Sequence, residues 1–122
     1  MAAAKAVRLN QLAKTINEWA KEKGFWDAPV ATGDALQWIT NHQKSTKLFL
    51  VVTELAELGE CIRSTSEVPS KLEGFTNEEE ELADAMIRLL DYAGNYNLRI
   101  GEALAAKMEH NLTRPHRHGK QF

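Results

Sequence analysis

The chain reads as an all-α protein. Apolar residues recur at three- and four-residue intervals through most of its 122 residues, which is the period of a helix with one buried face. No segment sustains the two-residue alternation, bounded by hairpin turns, that a half-buried strand needs. The breaker-rich stretch Phe25 to Gly33 and the polar segment with Pro69 and Gly74 divide the periodic segments into a small number of helices.

The first helix is expected from about Val7 to Lys23, with Leu9, Leu12, Ile16 and Trp19 on one side and Gly24 as its stop. The stretch from Phe25 to Gly33 is rich in breakers and reads as a loop, after which Asp34 is placed to cap a short helix carrying Trp38 and Ile39. The most apolar helix follows, from about Lys47 to Ser64, and a polar segment with Pro69 and Gly74 ends it. Thr76 or Asn77 is a natural N-cap for the next helix, whose acidic first turn, Glu78 to Glu81, suits the positive end of the helix dipole. That helix should reach about Asn95. Asn97 to Ile100 then lead into a last helix that must end before Pro115. Four main helices with short connections predict one antiparallel, four-helix-bundle-like domain over residues 1–122. A domain this small buries only about two-thirds of the surface its unfolded chain exposes. So thin a bundle is expected to complete its core by forming a homo-oligomer, dimer or tetramer.

Hydrophobic residues at 43% and charged residues at 26% place the chain among soluble globular domains. Its longest apolar run, Leu48 to Val52, is far too short to cross a bilayer, so no membrane partner is expected. The N-terminus lacks an apolar stretch followed by a cleavage site, which points to the cytoplasm. The single cysteine, Cys61, lies in an apolar helical stretch and reads as an inert thiol. A formal charge of -2 offers no general attraction to nucleic acid, although residues 114–122 are locally basic.

The chemistry concentrates in four acids. Glu54 and Glu57, three apart within the apolar run Leu48 to Leu58, stand about 60° apart around a helix axis and share a face. The next helix repeats the arrangement in Glu81 and Asp84, beside Leu82, Ala83, Ala85, Met86 and Ile87. Either pair alone reads best as solvated helix surface. Together, in apolar surroundings, two matched pairs can converge, and unpaired carboxylates near a core call for a cation. Oxygen-only ligands favour magnesium or manganese over zinc or copper. Glu60, Glu78, Glu79 and Glu80 read as solvated or dipole-complementing side chains, and Asp84 with Arg88 as an ordinary i,i+4 ion pair.

These residues resemble the signature of the MazG-like all-α nucleoside triphosphate pyrophosphohydrolases, which carry E-x-x-E on one helix and E-x-x-D on the next; here they read Glu54-Leu-Ala-Glu57 and Glu81-Leu-Ala-Asp84. The ending Lys107-Met-Glu-His-Asn111-Leu-Thr-Arg114-Pro-His-Arg-His-Gly-Lys-Gln-Phe122 is similar to the K-M-x-x-N-x-x-R-P…H-G-K-x-F close of such proteins. The resemblance spans about residues 47–122 and extends more weakly to Gly24-Phe-Trp26. It implies magnesium-dependent hydrolysis of a nucleoside triphosphate to monophosphate and pyrophosphate. Glu54, Glu57, Glu81 and Asp84 would be the metal ligands, with Glu54 or Glu57 turned towards the attacking water as general base. Some relatives begin the first motif with paired glutamates, whereas here Thr53 precedes Glu54.

Lys107, Asn111 and Arg114 recur at i, i+4 and i+7, so one stripe of the last helix offers two cations and an amide, a set suited to a polyphosphate. Cations near a helix C-terminus are favourable without any ligand, which is the competing account. The tail beyond them, with His116, Arg117, His118 and Lys120, either closes over phosphates or frays. Trp38 and His42 could stack on a nucleobase, while Trp19 and Trp26 read as packing. Trp38-Ile-Thr-Asn-His42-Gln43 is similar to a W-x-x-x-H-Q that precedes the first acid motif in the dCTP pyrophosphatase branch, which implies a pyrimidine deoxynucleotide, dCTP first, with dUTP or house-cleaning of modified nucleotides in the pool as the alternatives and phosphoribosyl-ATP pyrophosphohydrolase as a further relative.

A di-iron bundle would need Glu-x-x-His motifs, but Ile39, Lys107, Thr113 and Pro115 stand three residues before the four histidines. The alternative from another class is a non-catalytic helical module that holds nucleotide or nucleic acid through the basic tail. It predicts binding without turnover and leaves the matched acid pairs unexplained.

Overall fold

The computed structural model describes residues 2–64 and 69–121, and for residues 2, 3 and 118 the backbone alone. Four α-helices carry the fold, α1 (Ala2–Glu22), α2 (Gly33–Arg63), α3 (Asn77–Asn95) and α4 (Ile100–Leu112), followed by one 3-10 turn, His116–Gly119. No strand occurs among the described residues.

The helix ends follow local chemistry. Beyond α1, Gly24 takes φ 79, its N–H bonds to Lys21 O at 3.0 Å and the Phe25 N–H to Ala20 O at 3.0 Å. These two bonds are those of a Schellman stop, and Phe25 folds back against Trp19, ring centroids 5.9 Å apart. After α3, Asn97 plays the glycine's part. At φ 51 its N–H reaches Gly94 O at 3.3 Å, and the Leu98 N–H reaches Ala93 O at 2.9 Å. The expected Thr76 cap forms a full capping box. The Glu79 N–H donates to Thr76 Oγ1 at 3.1 Å and the Thr76 N–H to Glu79 Oε2 at 2.7 Å.

Two expectations need correction. The short helix around Trp38 and the apolar helix from Lys47 are one continuous α2. Residues 40–46 are polar but hold neither proline nor glycine. Thr40 Oγ1 and Ser45 Oγ donate back to Leu36 O and Asn41 O, so their hydroxyls are satisfied without leaving the helix. Its N-cap is Thr32, and Asp34 sits in the first turn. The buried face of α1 is also not the one its large residues mark. Ala6, Ala13, Asn17 and Ala20 are buried, Leu9 and Ile16 lie beside them, and Leu12 and Trp19 are about half exposed.

Small residues dominate that face because the backbones come very close. A Cβ on Gly94 of α3 would collide with the Ala13 carbonyl, and one on Gly101 of α4 would collide with the Ala6 carbonyl. Thus α1 packs against both α3 and α4, and α2 packs against α3. The order α2, α3, α1, α4 makes an open array in which α2 and α4 are the outer helices. Asp91 of α3 ties the array to the α1–α2 loop, accepting from Asn17 Nδ2 at 2.8 Å and from Trp26 Nε1 at 2.8 Å. Trp26 packs edge-on to Tyr96, in keeping with a packing role. Cys61 is half-buried and unbonded to another cysteine.

No large side chain is fully buried among the described residues, whereas Phe49, Val52, Leu55 and Ile62 of α2 and Leu82, Met86 and Leu89 of α3 are exposed. No described helix is long and apolar enough to cross a membrane.

Candidate functional site

The carboxylates come together where α2 crosses α3. Oxygens of Glu54, Glu57 and Glu81, one from each, lie within 4.8 Å of one another. Glu54 is buried, Glu81 half-buried and Glu57 exposed. Asp84 stands outside that trio, but with Glu54 it lines the adjoining cleft of about 190 Å³, which also takes in Lys47, Arg88 and Asp91 and is walled by Trp19, Phe25 and Ile87.

This arrangement costs energy as it stands. Partial desolvation, then the charges of Glu57 and Asp84, hold the Glu81 carboxyl above its ordinary pKa. Asp84 is raised too, by desolvation first and Glu54 next. Glu81 Oε2 is buried without a hydrogen-bond partner among the described residues, although an unsatisfied buried acceptor is costly. An unpartnered oxygen, like charges a few ångströms apart and an all-carboxylate donor set fit a hard divalent cation, which Glu54, Glu57 and Glu81 could hold.

Arg88 is not paired to Asp84 as an i,i+4 partner. Its Nε donates to Glu54 Oε1 at 2.5 Å across the α2–α3 contact. Opposite, Lys47 Nζ donates to Phe25 O and lies 4.2 Å from the Trp26 ring centroid, and burial lowers its pKa. Glu80, read as solvated, is buried; its Oε2 accepts from Ser70 Oγ and from the Lys71 N–H, each at 2.7 Å, so it fastens the segment before α3.

The other expected site residues are not gathered here. Lys107, Asn111 and Arg114 are exposed on or just after α4, which packs on α1, and none lines the acid cleft. In the tail, Arg117 Nη1 donates to Gln121 O at 2.8 Å; the His118 side chain and Phe122 lie outside the described residues. Trp38 and His42 stack on each other, centroids 5.2 Å apart at 4°, and Trp38 is 67% exposed. At 1.5 Å per residue they precede Glu54 by roughly 18 to 24 Å along α2.

Lys47, Arg88 and Asp91 are additions to the sites read from sequence. The signal for them was positional. Glu81, Asp84, Arg88 and Asp91 follow at steps of three, four and three, and Lys47, Val51 and Glu54 at four and three, each a single helix stripe. No protein-family model, curated protein or solved structure matches the chain.

Proposed function

We propose that this chain is a magnesium-dependent nucleoside triphosphate pyrophosphohydrolase with a MazG-like fold, releasing monophosphate and pyrophosphate from free nucleotides in the cytoplasm. The observation that carries the reading is the convergence of Glu54, Glu57 and Glu81 from two helices onto one point, within 4.8 Å, with Glu81 Oε2 unsatisfied. Those three would hold magnesium or manganese, and Asp84, beside Glu54 in the cleft, would complete the set. The cation, when bound, supplies Lewis-acid activation of the phosphate and of the attacking water.

The chain's own residues divide the remaining work. Glu54 is buried at the α2–α3 contact, so its carboxylate has little room to turn towards the water. Glu57 is exposed and has no hydrogen bond among the described residues, so it is the better placed general base, free to accept the water's proton. Trp19 and Phe25 wall the cleft with apolar surface, which strengthens charge interactions inside it.

A second copy of the chain is part of the proposal. The exposed apolar stripes of α2 and α3 need a cover. At 31 residues α2 is about 46 Å long, against about 28 Å for the 19 residues of α3, so it has length to span a partner. Trp38 and His42, far along α2 from their own acids, would serve a neighbouring subunit's site as the base-stacking pair, with dCTP the first substrate to try. Lys107, Asn111 and Arg114 would likewise reach phosphates across an interface.

The test is to incubate the protein with each common NTP and dNTP, with magnesium or with EDTA, and resolve the products, alongside a Glu57→Gln, Asp84→Asn double variant and a light-scattering mass. Magnesium-dependent formation of monophosphate and pyrophosphate by an oligomer, reduced at least about 10²-fold in the variant, is expected. A folded protein that turns over none of these nucleotides would overturn the reading and favour the binding module.

A further inference from the structure

We propose that Arg88 is the cleft's resident counter-ion: it occupies Glu54 while no divalent cation is bound and turns to the triphosphate when one is. The inference rests on the reading of the acid cluster as a cation site and adds residues that the sequence motifs do not contain.

Glu54 is 7% exposed, and its one partner among the described residues is the Arg88 Nε. A charged carboxylate so placed is costly without a positive partner. Arg88 supplies it, yet it does so through Nε alone, and its two terminal amino groups make no hydrogen bond among the described residues. The guanidinium is therefore half used. A carboxylate is usually gripped by two parallel N–H groups, and an arginine that spares its terminal fork retains the geometry that fits phosphate oxygens. The Arg88 side chain is 34% exposed and borders the same cleft as Lys47 and Asp84, so the free fork has access to a bound anion. Lys47, held over Trp26, gives that cleft a second cation.

Competition at Glu54 follows. With a divalent cation held by Glu54, Glu57 and Glu81, Glu54 would no longer need the charge of Arg88, and the guanidinium would be free to turn to the phosphates of a nucleotide. Metal and phosphate then bind cooperatively, since each removes a reason for Arg88 to stay where it is. The phosphate contacts within the protomer are thus Arg88 and Lys47, while Lys107, Asn111 and Arg114 are remote from the cleft lining.

Two variants test this by binding, without turnover. Calorimetric titration with magnesium alone, and then with inorganic pyrophosphate at saturating magnesium, is run on the native protein, Arg88→Gln and Arg88→Lys. Arg88→Gln should bind magnesium several-fold more tightly, be stabilised more by it on heating, and bind pyrophosphate about tenfold more weakly, as loss of a charge-assisted contact implies. Arg88→Lys keeps the charge, so it should fold and hold magnesium near the native affinity, but it loses the fork and binds pyrophosphate a few-fold more weakly. Magnesium affinity that is unchanged or weaker in Arg88→Gln overturns the proposal, as does native pyrophosphate affinity in Arg88→Lys. If Arg88→Gln does not fold, the pyrophosphate affinity of Arg88→Lys decides alone. A native protein that binds no magnesium overturns both this and the cation reading beneath it; native binding and turnover with unaltered Arg88 variants overturns this inference only.

Discussion

Glu80 and Glu81 are neighbours in sequence and do opposite things. The Glu80 carboxylate is held by Ser70 Oγ and the Lys71 N–H, and these hydrogen bonds keep its pKa below the usual range. A carboxyl whose folded pKa is depressed adds stability above its unfolded pKa and loses it as pH falls through the folded value. Urea midpoints measured between about pH 3 and 6 should therefore fall more steeply on acidification in the native protein than in Glu80→Gln; parallel curves would show that Glu80 fastens nothing. Glu81 faces the reverse situation: partial desolvation, and then the like charges close by, raise its pKa. Three-residue spacing, the apolar setting and the matching of two pairs singled out Glu54, Glu57 and Glu81 together with Asp84. It could not separate Glu80 from the solvated acids around it. The ligands of Glu80 come from a loop ten residues earlier, and no local period reports on them.

Helices were legible wherever their stops are local. Gly24, the Thr76 capping box and Pro115 act within a turn of their own position, and the structure ends or starts helices beside them. The α1–α3 contact was not legible, because hydrophobic periodicity weighs large residues and this contact is made by small ones. Leu12 and Trp19 mark one face, but it is at Ala13 that Gly94 of α3 meets the α1 backbone, and at Ala6 that Gly101 of α4 does. Gly94→Ala should accordingly destabilise the protein by roughly 1–3 kcal/mol, the cost of overpacking. Gly59, inside α2, is the control, because a methyl group added there would meet nothing within 4 Å. Gly59→Ala should be stabilising by about 0.5–1 kcal/mol, the usual gain in a helix interior. Chemical denaturation of both variants gives the signs directly; a neutral Gly94→Ala would mean that α1 and α3 can separate without loss.

At the scale of the molecule, an open array with small residues inside and large ones outside explains why the site was only partly readable. The acids belong to adjacent helices and meet within one chain. The aromatic pair on α2 and the basic stripe of α4 stand apart from them, and motif order along the chain carries no information about that separation. Both the proposed hydrolysis and the role given to Arg88 require the α2–α3 crossing to bind a divalent cation through carboxylates of both helices. Titration of manganese followed by its electron paramagnetic resonance signal, in the native protein and in a Glu54→Gln, Glu81→Gln variant of native fold, tests this without any assumption about substrate. Saturable loss of the free-ion signal in the native protein, abolished in the variant, is the predicted result. Equal manganese binding in the two, or none in either, would contradict it.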